Sequence, residues 1–374
     1  MRSANANTRY LVGLDHLRAL AALLIVFYHG LHLLSFGPRA AGADPLRFWW
    51  ISDNPLIALL EEGHTSVALF MVLSGFVFSS AALGKHIAYF AYLQNRFLRI
   101  YPLFVLLCLV AVTVSPGQYS LLALTQTLLF QGDLPGALNI VPYTSMFWAV
   151  AVEFQFYLLF PWLHRILERE GARWALACIV LMLVLRFIAA SSGVANARDI
   201  AYWHLVGRLD QFLIGMLSAR VFHRLSQRKL PWGLFSLLGL AAVLALLFAF
   251  NHAGGWPTSP LWKIAWPTAE ALAWAGLLVP YVLFAEHMPG VISRPLAALG
   301  SISYSIYLLH YPCILLLPQY VRPWLQLEPN LASQAYVALV VLPVLVPLAA
   351  LTYYAVERPF LRMRVRYLQE PEAT

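Results

Sequence analysis

The stretch LDHLRALAALLIVFYHGLHLLSF, residues 14–36, decides the fold. It can cross the roughly 30 Å hydrocarbon core of a bilayer as one helix, because about 20 apolar residues are enough. No small-residue cleavage pattern follows it, so we expect a retained first span and not a removed signal peptide. The stretch nevertheless contains Arg18 and His29. Such side chains are costly inside a span unless they face a cavity or a partner, so the sequence predicts an intramembrane polar site.

The rest of the chain repeats this apolar pattern. Of 374 residues, 61% are hydrophobic and only 11% are charged, against roughly a quarter charged in soluble proteins. The pattern predicts an all-α polytopic membrane protein, a bundle of about ten transmembrane helices forming a single domain over residues 1–374. Segment 120–131 is too short to cross and is expected to be interfacial or re-entrant. The predicted spans are 15–36, 64–83, 97–115, 143–163, 174–191, 202–221, 233–251, 262–284, 298–318 and 332–356.

Charge predicts the orientation of these spans. The net charge is +8, but the basic residues gather in short loops, so we expect no nucleic-acid partner. With a cytoplasmic N-terminus, about 17 Lys and Arg fall on the inner side and about 5 on the outer side, as the positive-inside rule requires. Both termini are therefore predicted to be cytoplasmic. Cysteines at 108, 178 and 313 lie in separate apolar runs without CxxC spacing, which predicts neither a disulfide nor a zinc site.

Arg18 and His29 stand 11 residues apart in the first span. They return to within roughly 20° of one helix face and are separated along the axis by roughly 16 Å. This face suits a long thioester donor whose phosphates bind near the inner rim while its thioester reaches a deep base. Burial disfavours the imidazolium form, so His29 is a candidate general base for a hydroxyl. Alternatively, Arg18 snorkels to lipid headgroups and His29 bonds a neighbouring helix.

The third and fourth spans carry two further candidates. Arg96 and Arg99 share a helical face where the third span begins and can hold phosphate oxygens, although positive-inside charge and anionic-lipid binding explain them equally well. Glu153 lies at the centre of the fourth span. A carboxylate there must be protonated, paired with a cation or lining water, and each option implies an interior polar site. Gln155 and Tyr157 extend the same patch.

The sixth and ninth spans carry polar residues with weaker signals. Arg208 and Asp210 lie near the outer end of the sixth, where they can pair with each other or with headgroups. Small hydroxyls commonly join helices in membranes. Spacing alone therefore singles out none of the ninth span's polar residues, which are Ser303, Ser305, Tyr307 and His310.

Seven motifs in sequence order give the chain its resemblance to the acyltransferase-3 family of membrane O-acyltransferases. They are Leu14 to His29 with arginine and histidine 11 apart, VALFMVLSGF at 67–76, RFLRIYP at 96–102, Phe147 to Pro161 around Glu153, RLDQFLIG at 208–215, LGSISYSIYLLH at 299–310 and ERPF at 357–360.

The resemblance implies acyl transfer, commonly of acetyl, from cytoplasmic acyl-CoA to hydroxyls of sugars, polysaccharides or glycosylated small molecules. It implies no permanently bound cofactor. His29, with Arg18 and Glu153, is assigned to catalysis, and Arg96, Arg99 and Tyr101 to acyl-CoA binding. The remaining candidates are acceptor-site or structural residues, namely Ser74, Trp148, Tyr157, Arg208, Asp210, Ser305, Tyr307 and His310.

Two departures from the family pattern matter. Ala68 stands where many members carry an acidic residue, whose role must be absent or supplied by Glu61 or Glu62. The basic motif has fewer arginines than its richest versions, so donor affinity is lower or Arg294 contributes. Some members continue into an extracytoplasmic esterase-like domain. This sequence ends at Thr374, so we expect a stand-alone domain that finishes transfer itself or passes the group to a separate extracytoplasmic transferase.

The expected location is the cytoplasmic membrane of a bacterium, among lipids, with outer loops 37–63 and 116–142 setting acceptor choice. Direct attack on the thioester and an acyl-His29 intermediate both stay open. The main rival function is a transporter or flippase for a polar or lipid-linked solute, although the paired repeats expected of many transporters are absent from the sequence. A scaffold without catalysis fits the intramembrane charges less well.

Overall fold

A computed structural model describes residues 10–36, 49–321 and 331–370. Much of the predicted outer loop 37–63, residues 37–48, lies outside the described residues. The first half of the bundle comprises α1 Val12–Phe36, α2 Pro55–Glu61, α3 Ser66–Ala82, α4 Tyr89–Val114, α5 Leu121–Leu128, α6 Phe147–Glu170, α7 Ala172–Ser191 and α8 Ala197–Tyr202. The second half comprises α9 Leu205–Leu225, α10 Trp232–His252, α11 Trp266–Ala285, α12 Gly290–Ser301, α13 Ser303–Tyr320, α14 Leu331–Tyr336, α15 Leu342–Thr352 and α16 Arg358–Leu361.

The described chain is an all-α polytopic membrane protein. Seven helices are long and apolar enough to cross a membrane, or eight if the bent pair α12 and α13 is one span. Two further predicted spans correspond to the more polar helices α6 and α9. The count of ten spans and the cytoplasmic side of the termini stay predictions. The segment predicted to be too short to cross contains α5, a helix of 8 residues.

Several predicted boundaries were wrong. Where polar residues continue a helix beyond its apolar core, the helix is longer than predicted. Helix α4 begins at Tyr89, 8 residues before the predicted start, and places the basic motif within the helix. The predicted ninth span crosses a bend of 68° between α12 and α13. The last span is helical from Leu331 to Leu361, with π-helical turns at Val337–Val341 and Tyr353–Glu357.

Helices α3 and α9 cross closely because glycine faces glycine. A Cβ added at Gly75 would lie 2.1 Å from the Phe212 carbonyl oxygen, and one added at Gly215 would lie 2.1 Å from the Val72 carbonyl oxygen. Small residues allow such backbone contact where lipid supplies no hydrophobic drive between helices. The crossing fixes the rotation of α3 and thereby the direction of Ser74.

A two-stranded antiparallel sheet joins the loop before α4 to the C-terminal segment. Strand β1, His86–Ile87, pairs with strand β2, Leu368–Gln369. Both segments must therefore lie on the same side of the bundle, which agrees with the even number of spans predicted between them.

Candidate active site

The centre of the candidate site is a pair of histidines from two helices. His29 on α1 and His310 on α13 are 281 residues apart in sequence, yet His29 Nδ1 lies 2.9 Å from His310 Nε2. Their rings stack with centroids 5.0 Å apart and an interplanar angle of 29°. His310 is fully buried, whereas His29 is half-buried. The more accessible member of the pair is therefore the predicted base.

The hydrogen-bond pattern assigns the protons of this pair. His310 Nδ1 lies 2.6 Å from the Tyr307 carbonyl oxygen, which can only accept. In neutral His310 the Nδ1 therefore carries the proton and Nε2 is the acceptor. His29 must then donate from Nδ1, so its Nε2 holds the free lone pair. The His29 ring also has a hydrogen bond with the Ile25 backbone. The arrangement thus fixes the ring and presents Nε2 as a proton acceptor, as a general base requires.

Glu153 lies in a second polar cluster, built by α3 and α6. Its carboxylate oxygen Oε1 accepts hydrogen bonds from Ser74 Oγ at 2.5 Å and from the Tyr157 hydroxyl at 2.5 Å. Glu153 itself is half-buried. The predicted patch is thus partly right: Tyr157 joins it, but Gln155 bonds Asp133 Oδ1 at 2.8 Å instead.

Tyr307 lies between the two clusters. It is on α13, its ring contacts Phe70 of α3 with centroids 6.0 Å apart, and its backbone carbonyl holds His310. Its hydroxyl is buried and has no hydrogen-bond partner in the described part of the chain. The charges of Glu153 and Arg208 act on it electrostatically. An unpartnered buried hydroxyl costs about 1–3 kcal/mol, so this group is a candidate substrate contact.

Arg18 lies on the same helix as His29, nearer the N-terminal end of α1. It pairs with Asp15 at 2.8 Å, and its side chain is 34% exposed. Asp15 therefore orients this guanidinium while leaving donors free at the rim. The same helix carries a buried histidine, His16, which bonds Ser293 and is not part of this site.

The basic motif splits into two environments. Arg96 lies over the Phe78 ring at 4.6 Å and the Tyr157 ring at 5.8 Å, which brings it beside the Glu153 cluster. Arg99 instead forms an ion pair at 2.8 Å with Glu357, which is fully buried.

Two hydrogen bonds near Arg99 and Tyr101 connect helices of the bundle. Ser305 donates a hydrogen bond to the other oxygen of Glu357, so Ser305 lies in the Arg99 pair and not beside His29. The Tyr101 hydroxyl bonds the Leu128 carbonyl at 3.2 Å and holds the end of α5. Assignment of Arg96, Arg99 and Tyr101 to acyl-CoA stays a prediction.

Arg208 and Asp210 do not pair with each other. Asp210 forms a fully buried ion pair at 2.6 Å with Arg186 of α7, and Thr268 of α11 donates to its other oxygen. Arg208 reaches Glu270 at 3.6 Å. The two carboxylates therefore neutralise the two guanidiniums and join α7, α9 and α11, as intramembrane charges require.

An aromatic cluster borders Arg208. The guanidinium lies 4.1 Å from the Tyr202 ring centroid, and Tyr202 contacts Trp148 at 5.1 Å and Trp256 at 4.1 Å. Trp203 packs against Trp148 with centroids 4.8 Å apart. Trp148, Trp203 and Trp256 are each half-buried, so the cluster is open on one side.

The two acidic residues considered as substitutes at Ala68 lie together near His29. Glu62 is fully buried and accepts from Trp49, Asn251 and His64. Burial raises the pKa of the neighbouring Glu61 carboxyl to about 8, which favours its neutral form. Glu61 lies 3.7 Å from His32, which is one helical turn after His29 on α1, so the two carboxyl groups border the α1 helix beside the histidine pair.

Sequence reasoning missed several residues that complete these clusters. Glu357 and Glu270 pair with the candidate cations Arg99 and Arg208, and Arg186 pairs with the candidate anion Asp210. Each of the three stands in a different helix from its partner. Arg364 follows the last helix, where a basic residue is expected anyway. The sequence does indicate that each unpaired charge inside the membrane needs a counter-charge, because it is otherwise unfavourable. It does not indicate which residue supplies that counter-charge.

Comparison with known proteins agrees with this architecture. A family described as an acyltransferase domain, acyltransferase-3, matches residues 11–353. The chain is 25% identical to O-acetyltransferase OatA of Staphylococcus aureus over 94% of its own length, although it spans only 57% of that relative. It is 25% identical to acyltransferase MdmB of Streptomyces mycarofaciens, covering 97% of this chain and 94% of that one. No solved structure matches significantly. This protein belongs to the acyltransferase-3 family of membrane acyltransferases.

Proposed function

We propose that the protein transfers an acyl group, most simply acetyl, from cytoplasmic acyl-CoA to a hydroxyl of a sugar, polysaccharide or glycosylated small molecule. The observation that carries this proposal is His29, whose Nδ1 donates to His310 while its half-buried Nε2 keeps a free lone pair. The relative named as an O-acetyltransferase supports acetyl as the group and a hydroxyl as the acceptor.

In the direct route, His29 Nε2 removes the proton of the acceptor hydroxyl as its oxygen attacks the thioester carbonyl. The carbon–sulfur bond then breaks, and the departing CoA thiolate recovers the proton from His29. The Nδ1 hydrogen bond to His310 is kept throughout, so the ring does not need to reorient between the two transfers. A developing oxyanion needs a donor nearby. The unpartnered Tyr307 hydroxyl is the described group best suited to that role.

The donor is expected to enter at the basic end of the bundle. Arg18 and Arg96 provide cations for phosphates. Glu153 bonds the Tyr157 hydroxyl next to Arg96, and its charge also acts on the Tyr307 hydroxyl. The helical rise between Arg18 and His29 is roughly 16 Å, a distance that an extended pantetheine arm can cover. The phosphates can therefore stay near the rim while the thioester reaches the base.

The acceptor site is expected on the opposite side, at the aromatic cluster of Trp148, Tyr202, Trp203 and Trp256 around Arg208. Sugars present apolar faces edged by hydroxyls, so aromatic faces beside buried polar groups suit them. Arg208 has one nitrogen that is buried without a hydrogen-bond partner among the described residues. It is available to bind an acceptor oxygen.

The test follows radiolabelled acetyl from acetyl-CoA, incubated with the purified protein and candidate glycosides. We expect labelled acceptor and free CoA in equal amounts, with turnover lowered about 10²–10⁴-fold in His29→Ala because a positioned base is lost. His287→Ala is the matched control, since His287 is exposed and lies outside the site. Movement of a solute across vesicles without thioester cleavage would instead establish the transporter.

A further inference from the structure

Three arginines lie near the loop that contains β1, and Arg96 and Arg99 both act electrostatically on Arg364. Arg96 and Arg99 come from α4, and Arg364 comes from the segment that follows α16. Asn95 makes two hydrogen bonds with Val365, donating to its carbonyl at 2.7 Å and accepting from its N–H at 3.0 Å. Since Arg96 follows Asn95 and Arg364 precedes Val365, this clamp fixes the two arginines beside one another.

Aromatic packing holds the same segment in place. Tyr367 is buried against the Tyr92 ring with centroids 5.4 Å apart, and the Ala88 N–H bonds the Tyr367 carbonyl at 2.9 Å. The guanidinium carbon of Arg96 lies 5.5 Å from the centroid of the same Tyr92 ring. The C-terminal segment is thus built into the start of α4.

Only part of the charge in this cluster is paired within the described protein. Arg99 has Glu357, but no ion pair is found for Arg96 or Arg364 within the described ranges. The Nε atoms of both arginines are buried and have no hydrogen-bond partner there. Burial, together with Arg96 and Arg99, lowers the pKa of Arg364 to about 9. Converging cations with unused donors are the arrangement expected before a multivalent anion binds.

We propose that Arg364, with Arg96 and Arg99, forms a phosphate site that binds the phosphates of the acyl-CoA donor, so that the C-terminal segment is part of the donor site. This inference rests on the proposed function. Phosphate chemistry is shared with anionic lipid headgroups, and the experiment must separate the two sources.

The experiment measures binding of acetyl-CoA, dephospho-CoA and S-acetylpantetheine to the full chain purified in a neutral detergent. Arg364→Ala is expected to raise the Kd for acetyl-CoA about tenfold, the loss typical of one charge-assisted contact. Binding of S-acetylpantetheine, which has no phosphate, should not change. Arg364→Lys should recover part of the affinity because it keeps the charge but not the planar fork. Arg362→Ala is the matched control, since Arg362 is exposed on the same segment.

Melting temperature separates binding from folding. Without ligand, Arg364→Ala should melt no lower than the unmodified protein, because the change removes repulsion from Arg96 and Arg99. A lower melting temperature with equal loss of acetyl-CoA and S-acetylpantetheine binding would show a structural role and overturn the proposal. Unchanged acetyl-CoA affinity together with lost retention of phosphatidylglycerol would assign the cluster to lipid and overturn it as well.

Failure of the inference and failure of the proposed function give different results. If the unmodified protein binds acetyl-CoA and Arg364→Ala binds it equally well, only the role of Arg364 is wrong. If the unmodified protein binds no acetyl-CoA, the donor assignment and the proposed function both fail.

Discussion

Replacement of His310 by alanine tests whether this buried residue positions the base. In the structure, His310 Nε2 is the acceptor for His29 Nδ1 at 2.9 Å, and the Tyr307 carbonyl fixes the tautomer of His310. The alanine variant leaves the His29 donor without this partner. The ring then has no contact from His310 that selects the tautomer with a free Nε2.

The expected size of this effect follows from the cost of the lost bond. A buried donor left unsatisfied costs about 1–3 kcal/mol, and each 1.36 kcal/mol corresponds to tenfold in rate. We therefore expect kcat to fall about 5- to 150-fold in His310→Ala, less than in His29→Ala. Donor KM should change little, since His310 is fully buried behind His29. His310→Gln should recover part of the rate, because its amide oxygen can replace the Nε2 acceptor.

The assay is initial-rate transfer of labelled acetyl as a function of acetyl-CoA and of pH, expressed per folded molecule. A positioning role predicts that kcat falls in His310→Ala with a shifted pH profile, and that Gln exceeds Ala. The reasoning is refuted if His310→Ala keeps normal kcat. It is also refuted if Ala and Gln lose activity equally while donor KM rises, because His310 would then act in substrate binding.

Two further predictions concern stability and topology. Arg186→Met should lower the free energy of unfolding by about 3–5 kcal/mol, because it leaves Asp210 charged and unpaired in the interior. In melting experiments in detergent, adding Asp210→Asn should recover most of this loss. An unchanged melting temperature in the single variant would contradict the buried pair. On a cysteine-free background, single cysteines in 116–142 should react with a membrane-impermeant thiol reagent from outside and those in 222–232 only from inside, whereas the reverse pattern would end the predicted orientation.

Helix positions were predictable because the bilayer restricts the chain so strongly. Backbone groups in hydrocarbon must bond internally, so an apolar run of about 20 residues has little alternative to a helix. The helix around Glu153 shows the limit of this argument. Its polar residues make α6 less apolar than its neighbours, yet Glu153 is accommodated by Ser74 and Tyr157 within the bundle.

Partners across helices were not predictable from one sequence. The spacing of Arg18 and His29 gives their common face on α1, but contact between His29 and His310 depends on how α13 is rotated and how far it bends from α12. Likewise, Arg208 and Asp210 stand two residues apart, so they point to different faces of α9. Each therefore finds its counter-charge on another helix, Glu270 and Arg186 respectively.

The fate of each intramembrane charge follows from whether the bundle supplies a counter-charge. Asp210 and Arg186 are mutually neutralised, fully buried and also hydrogen-bonded, which is the pattern of a structural pair. His29 is held from one nitrogen and half-buried at the other, while Arg96 and Arg364 have buried donors without partners in the described chain. Unused donors and lone pairs are unfavourable in the free protein, so a ligand that satisfies them binds more strongly. The proposed donor, anionic at one end and carrying an electrophilic thioester at the other, would satisfy both regions.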